Sequence, residues 1–235
     1  SDEIIKTCLD NMTILRDQIM DESKMIVGET IRSSQETMVI TDVVNSCKLI
    51  TQKQMEMKGL KLITHIDIFL EKSIIITDKR WILSMIHNYL SNAMKYAKSK
   101  IIINVSSQMN TLHIEVHDDG LGVSDKDKSK LFIDYVQTHN GRQGGTGLGL
   151  ASVKKKCDIL GGTCGVLNSS ILNGALFWFK IPYRLVELIL TNDEIRNPEV
   201  TNSQNTGDAT DLQMITGADN EEDTILLVDD TELIR

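Results

Sequence analysis

Two glycine clusters and a carboxylate are the residues of this sequence that could do chemistry. Asp118 stands two residues before the turn Gly120-Leu121-Gly122, and a second cluster, residues 144–149 (GGTGLG), runs into a helical pattern that begins near Leu150. Glycine lets the backbone approach a ligand closely, and a helix start offers unpaired N–H groups and the positive end of the helix dipole. The spacing therefore predicts an anion-binding site at the start of that helix.

A polar helix face upstream carries groups that suit the same ligand. Asn88, Asn92 and Lys95 lie at i, i+4 and i+7, on one side of the helix. Carboxamide oxygens can bind a hydrated Mg²⁺, and an ammonium group can contact phosphate. Such residues alone are more typical of a solvated helix face, but the glycine clusters favour binding.

Hydrophobic periodicity predicts the elements that position these groups. A short strand at residues 38–40 precedes a helix with Thr41 as its N-cap and Gly59 at its end, and Asp78 begins the helix that carries Asn88. Further strands are predicted at residues 61–66, 73–77, 101–106, 111–116, 163–168 and 175–181, with a helix at 147–160. Pro182 is predicted to end the globular part. Residues 134–146 have no hydrophobic pattern and read as a lid.

Composition and charge narrow the class of protein. The chain has 235 residues, 41% of them hydrophobic and 25% charged, which is ordinary for a soluble globular protein. The net charge is −8, and residues 187–223 alone carry a net charge of −9. The sequence therefore has no excess of basic residues that would predict nucleic-acid binding. No apolar run approaches the ~20 residues of a membrane span. The four cysteines lack metal-ligand spacing and predict a reduced, cytoplasmic protein, although a longer parent could be membrane-anchored.

The first helical pattern covers residues 2–26. Its apolar positions alternate in steps of three and four: Ile5, Cys8, Met12, Leu15, Ile19 and Ile26. That stripe is typical of a coiled coil or helical bundle, and a core-facing helix shows much the same spacing.

Five segments in order make the chain similar to a known family. HNYLSNAMKY resembles the N box, VHDDGLGV the G1 box, LFIDYV the F box, GGTGLGLA the G2 box and NGALFWFKIP the final strand of the catalytic ATP-binding domain of sensor histidine kinases. This domain is related to those of Hsp90, MutL and type II topoisomerases. The resemblance spans residues 36–183 and implies an α/β fold. This is a two-layer α/β sandwich whose mixed sheet is covered on one face by three helices, with ATP between helices and lid.

The resemblance assigns a role to each candidate site residue. Asn92 would coordinate Mg²⁺ with help from Asn88, Lys95 would contact phosphate, and Tyr96 would line the nucleotide pocket. Asp118 would accept a hydrogen bond from the adenine amino group.

The glycine clusters would shape the rest of the pocket. Gly120 and Gly122 would form its floor, and Arg142 of the lid would reach the γ-phosphate. The residues that would let the lid close over the phosphates are Gly145, Thr146, Gly147, Leu148 and Gly149.

Two positions bear on activity. Members of this class that hydrolyse ATP carry a Glu four residues before the metal-binding Asn, and here that position is Asn88, which cannot take a proton at neutral pH. Asp119 stands where Thr or Asn is usual, an arrangement of two adjacent carboxylates that could weaken affinity for an anionic nucleotide.

The resemblance also implies a domain order. Residues 1–28 would end a helical dimerisation and phosphoacceptor domain, 36–183 would bind ATP, 187–223 would be an acidic flexible linker, and 224–235 (opening TILLVDD) would begin a receiver domain. None of the five histidines follows the family's His-Glu/Asp-x-x-Thr/Asn-Pro pattern, so the phosphoacceptor is expected outside these residues. The implied partners are a second copy, through the helical domain, the chain's own or a partner's receiver domain, and a phosphotransfer protein.

Three functions follow, in order of preference. The first is the catalytic part of a hybrid sensor histidine kinase, which transfers the γ-phosphoryl of Mg-ATP to a histidine in a two-component phosphorelay. The alternative is a catalytically silent nucleotide-binding module that acts through dimerisation and partner contacts. A hydrolytic, chaperone-like ATPase is disfavoured by Asn88.

Overall fold

The computed structural model describes residues 9, 12–13, 16–17, 19–21, 23–24, 27–128, 130–132 and 148–186. All of them belong to one folding unit, residues 1–188. The predicted lid at 134–146, the acidic linker at 187–223 and the receiver-like strand at 224–230 lie outside the described residues.

Strands and helices alternate from residue 36 onward. The strands are β1 Glu36–Val39, β2 Lys61–Ile66, β3 Ile74–Thr77, β4 Lys100–Gln108, β5 Thr111–Asp118, β6 Thr163–Asn168, β7 Ala175–Pro182 and β8 Arg184–Leu185. The helices are α1 Ile40–Met57, α2 Ile68–Glu71, α3 Lys79–Tyr96, α4 Asp125–Lys128 and α5 Gly149–Ile159. The described residues between 9 and 24 are also helical.

The strands form two sheets. Five of them pair in the order β2-β4-β5-β7-β6, with β2 parallel to β4 and the other neighbours antiparallel. A smaller antiparallel sheet has the order β1-β3-β8. The mixed α/β architecture predicted from the sequence is confirmed.

The core lies between the five-stranded sheet and helices α1, α3 and α5. Leu112, Ile114 and Val116 alternate along β5 and are buried, as expected for a strand with one face on a core. Tyr89 of α3 packs at the centre, its ring centroid 5.5 Å from that of Phe177 and its hydroxyl donating to the Trp178 carbonyl at 3.0 Å. The apolar residues that recur at the helical period in α3 are buried, as that period predicts: Ile82, Met85, Ile86, Tyr89, Leu90 and Ala93.

Two of the predicted element ends are wrong. Helix α1 begins one residue before Thr41, which lies inside the helix and donates its hydroxyl to the Glu71 carbonyl at 3.0 Å. Pro182 does not end the ordered chain, because Tyr183 is buried and β8 follows, paired with β3. A proline is tolerated at the end of β7 because its missing N–H falls where pairing with β6 has stopped.

The described helical residues near the N-terminus contact the domain through a buried ion pair. The Asp21 carboxylate lies 3.1 Å from the Lys156 ammonium of α5, which also donates to Ser84 of α3 at 3.0 Å. Burial lowers the pKa of Lys156, and the neighbouring Asp21 opposes that shift. One turn earlier, Asp17 lies 3.8 Å from Arg80. None of the described helices is long and apolar enough to cross a membrane.

Candidate functional site

Helix α3 is fixed at its start by the carboxylate predicted to begin it. Asp78 accepts from the Trp81 amide at 2.9 Å and, through its other oxygen, from the Ser34 amide at 2.8 Å. An aspartate at this position satisfies an N–H group that has no partner within the helix. The start of the helix is thus tied to the chain that precedes β1.

The polar residues of α3 differ in their exposure. Asn88 is buried, at 8% exposed, whereas Asn92 and Lys95 are half-buried. Asn88 lies against the first residue of α5, since a Cβ on Gly149 would come within 2.7 Å of its side-chain oxygen. The N box and the end of the G2 box therefore meet in space.

The end of α3 lies against the first glycine turn. A Cβ added to Gly120 would be 2.6 Å from the Tyr96 carbonyl oxygen, so only glycine allows the turn to pass this close to the helix. Gly122 has a φ of +73°, a conformation that other residues rarely adopt. The Tyr96 side chain is 52% exposed.

Asp118 continues the inward row of β5 at its last position. Its carboxylate is buried, at 1% exposed, where the pattern of Leu112, Ile114 and Val116 would place a fourth apolar side chain. Oδ1 accepts from the Gly120 amide at 2.8 Å and from the Ala175 amide at 3.1 Å. Burial raises the pKa of Asp118, and the two amide hydrogen bonds oppose part of that shift. Both described hydrogen bonds use Oδ1, so Oδ2 is the oxygen available to a ligand.

The turn between β6 and β7 packs against Asp118. Gly174 packs so closely that a Cβ would lie 2.2 Å from the Asp118 carbonyl oxygen and 2.6 Å from Oδ1. Asn168 accepts from the Val123 amide at 3.1 Å. Sequence reasoning missed these residues, which lie about fifty positions from Asp118; the dipeptide Asn173-Gly174, a common turn signal, was the available hint.

Asp119 does not join Asp118 in a paired-carboxylate site. It accepts from the amides of Lys98, Ser99 and Lys100 at 2.7–3.1 Å and from the Ser99 hydroxyl at 2.6 Å. Burial raises the pKa of Asp119, but the hydrogen bonds together outweigh burial and bring the pKa to about 2. Its charge therefore holds the loop after α3.

The structure places part of the predicted constellation. Asn88 lies at Gly149, and Tyr96 and Asp118 lie at Gly120, so α3, the first glycine turn and the start of α5 converge. Leu148 is the N-cap position of α5, with its carbonyl accepting from the Ser152 amide at 2.8 Å. Arg142, Gly145, Thr146 and Gly147 lie outside the described residues.

The donor set suits Mg²⁺ bound partly by a ligand. In the described part of the chain no group of three His, Cys, Asp or Glu side chains could hold a metal ion. Mg²⁺ keeps several waters and is often bound by one or two protein oxygens together with substrate phosphates. The carboxamides of Asn88 and Asn92, on adjacent turns of one helix, fit that mode.

Solved structures of other proteins share the fold that brings these boxes together. A structure of full-length ShkA in complex with AMPPNP superposes with a TM-score of 0.63 at 23% identity, over 75% of this chain and 36% of that one. The catalytic domain of the histidine kinase ThkA gives a TM-score of 0.57 at 22% identity, over 63% of this chain and 97% of that one. At these identities the likeness establishes the fold.

The sequence comparison gives the family that this domain resembles. Residues 77–185 match the family described as histidine kinase-, DNA gyrase B- and HSP90-like ATPase. The hybrid signal transduction histidine kinase B of Dictyostelium discoideum is 30% identical over 177 residues, 72% of this chain. The chain covers only 9% of that relative.

Proposed function

We propose that this chain is the ATP-binding catalytic part of a hybrid sensor histidine kinase, which transfers the γ-phosphoryl of Mg-ATP to a histidine of a phosphoacceptor domain. The observation that carries the proposal is the buried Asn88 carboxamide against Gly149, because it brings the metal-binding helix and the glycine-rich helix start to one place. The family match and the names of the relatives support the same class of activity.

Different residues of the chain would bind the base and the phosphates of the nucleotide. Asp118 presents a negatively charged acceptor, which pairs with the amino group of adenine and repels the carbonyl oxygen that guanine carries there. At the phosphate end, Lys95 supplies positive charge, and Asn92 with Asn88 would hold Mg²⁺. The bound cation would neutralise charge on the phosphate oxygens.

Asn88 favours transfer over hydrolysis. Activating a water molecule requires a group that accepts a proton, and a carboxamide does not do so at neutral pH. Phosphoryl transfer needs mainly positioning and charge stabilisation, with the nucleophile supplied by the acceptor histidine. The implied partners are therefore a second copy that presents the acceptor helix, and a receiver domain that takes the phosphoryl group onward.

Replacing Asn92 tests the metal assignment. Asn92→Ala removes one carboxamide ligand from a half-buried helix face, so Mg-dependent binding of a non-hydrolysable ATP analogue should fall by about tenfold or more while the fold is kept. Calorimetric titration with and without Mg²⁺ measures this. Gln54→Ala, which removes a carboxamide from the exposed face of α1, is the matched control and should change nothing.

Transfer itself separates the kinase from the silent regulatory module. The chain is incubated with γ-labelled ATP and a separately supplied phosphoacceptor domain of a histidine kinase. We expect a label on the acceptor that is lost in acid and kept in alkali, as for phosphohistidine. Nucleotide binding without any transfer would support the regulatory alternative. If Asn92→Ala binds the nucleotide analogue as tightly as the unsubstituted chain does, both with and without Mg²⁺, Asn92 is not part of the site.

A further inference from the structure

The turn between β6 and β7, residues 168–175, is held together by one serine. The Ser169 hydroxyl accepts from the Leu172 amide at 3.0 Å, the Ser169 amide donates to the Gly174 carbonyl at 2.7 Å, and the Asn173 amide donates to the Ser169 carbonyl at 3.0 Å. The side chain is 3% exposed. Ser169 therefore sets the path of the turn from Ser169 to Gly174.

The same hydroxyl joins the turn to β5. The Nδ1 atom of His117 lies 3.0 Å from the Ser169 oxygen, and His117 is itself buried, at 3% exposed. Because the hydroxyl oxygen accepts from Leu172, its own proton is free to point at Nδ1. Nε2 of His117 lies 3.2 Å from the side-chain nitrogen of Asn104 and 3.4 Å from a carboxylate oxygen of Glu115.

From the turn, the contact passes directly to the buried carboxylate. Ala175 follows Gly174 and donates its amide to Oδ1 of Asp118 at 3.1 Å. Gly174 lies in contact with the backbone of Asp118 and with the Gly120 amide. A displacement of this turn would move one of the two donors that fix the carboxylate. His117, the residue next to Asp118, ties the turn to β5.

The other end of the turn holds the glycine loop. Asn168 accepts from the Val123 amide at 3.1 Å, and its side-chain oxygen fills the space beside Gly122. Asn168 is exposed, so it can be replaced without opening the core. The turn thus contacts both ends of the loop of residues 118–123.

We propose that Ser169 is a positioning residue for base recognition, which acts through the β6–β7 turn to fix the orientation of Asp118. The inference rests on the proposed function, because it assumes that Asp118 receives the adenine amino group. With Oδ1 held by the Gly120 and Ala175 amides, the plane of the carboxylate is set and Oδ2 is directed to the base. Ser169 determines how firmly the second of those amides is held.

The proposal predicts a change in base selection as well as in affinity. Ser169→Ala leaves the half-buried Leu172 amide without its acceptor, so the turn that holds the Ala175 amide is less firmly fixed. The loss of one such hydrogen bond, carried over to the contact with Asp118, corresponds to roughly tenfold in a binding constant. Binding of Mg-ATP should weaken by about that factor. Binding of Mg-GTP, which gains nothing from a carboxylate at this position, should change little. The preference for ATP over GTP should therefore shrink about tenfold.

The experiment compares four proteins by calorimetric titration with Mg-ATP, Mg-GTP and Mg-tripolyphosphate. Ser170→Ala, an exposed serine of the same turn, is the matched control and should keep the base preference of the unsubstituted chain. Asn168→Ala should lower the preference in the same direction by a smaller factor. Tripolyphosphate, which has no base, should bind all four alike, and thermal melting shows that each protein is folded.

The outcomes separate the inference from the function on which it rests. A reduced ATP-to-GTP preference in Ser169→Ala and Asn168→Ala, with unchanged tripolyphosphate binding, supports the positioning role. Parallel losses for ATP, GTP and tripolyphosphate, or an unchanged preference in both variants, would overturn it while leaving the ATP-binding function in place. If the unsubstituted chain binds neither ATP nor tripolyphosphate, the proposed function fails and the inference fails with it.

Discussion

Two loops of this domain hold neighbouring aspartates in opposite ways. The β6–β7 turn and the first glycine turn bury Asp118 and give it two amide donors, both on one oxygen. The loop after α3 leaves Asp119 half-buried and gives it three amides and a hydroxyl, spread over both oxygens. Burial raises the pKa of Asp118, whereas hydrogen bonding brings the pKa of Asp119 to about 2.

The difference shows which carboxylate can serve a ligand. A carboxylate has about four acceptor positions, and Asp119 has committed most of them to the backbone of residues 98–100. Asp118 keeps one oxygen without a described protein donor and lies at the end of the inward row of β5. The expectation that Asp119 weakens the affinity for an anionic nucleotide stays a prediction. Its carboxylate is bound to the loop after α3, which favours a small effect.

The largest effect on stability is expected from Gly174→Ala, which overpacks the turn that supports Asp118. Gly174→Ala would place a methyl group 2.2 Å from the Asp118 carbonyl oxygen and 2.5 Å from the Gly120 nitrogen, both backbone atoms that cannot rotate away. We expect the free energy of unfolding to fall by about 3 kcal/mol. Urea unfolding followed by circular dichroism measures this change.

Gly165 provides a control with a similar clash but a movable neighbour. A Cβ on Gly165 would lie 2.7 Å from the ring of Trp178, a half-buried side chain that can shift. Gly165→Ala should therefore cost less, within about 1 kcal/mol. Equal losses in the two variants would mean that the backbone contact at Asp118 is no more rigid than an ordinary side-chain contact.

Removing the other carboxylate should have a smaller effect. Asp119→Ala takes an acceptor from three amides of an exposed loop, which water can partly replace, so we expect the free energy of unfolding to fall by about 1 kcal/mol. Binding of Mg-ATP should stay within about twofold of the unsubstituted chain, because the group is directed away from the site. A gain in affinity of tenfold or more would indicate that Asp119 does repel the nucleotide.

The pattern of neighbouring residues predicted the helices and strands far better than the contacts between residues distant in sequence. The strand at residues 61–66, the Asp78 cap of α3 and its apolar stripe follow from periodicity and capping, which are properties of a few neighbouring residues. The start of α1 was misplaced because β1 continues into the helix without a polar cap. β8 was missed because a two-residue strand has no periodicity.

The site shows the same division. The glycine clusters and Asn88 could be read from the sequence because each box is contiguous. Ser169 and His117 could not, since their contact joins positions 52 residues apart in sequence and depends on the register of β5, β6 and β7. The role of Asp119 was also hidden, because its amide partners lie about twenty residues earlier and acquire their direction only when α3 ends.

The smallest effect tests the opposite pKa shifts of the two aspartates through stability against pH. An unfolded aspartate has a pKa of about 3.9. The pKa of Asp119 is lower in the folded state, about 2, so its contribution to stability is complete above about pH 4 and is lost as the pH falls towards 2. The pKa of Asp118 is higher in the folded state, so its ionised form opposes folding, and that cost disappears as the pH falls through its folded pKa.

The free energy of unfolding is measured in urea from pH 6 to 3 for the unsubstituted chain, Asp118→Asn and Asp119→Asn, since asparagine stays neutral throughout. As the pH falls, the unsubstituted chain should lose stability relative to Asp119→Asn and gain stability relative to Asp118→Asn. Differences of the same sign would show that the two loops do not treat their carboxylates in opposite ways.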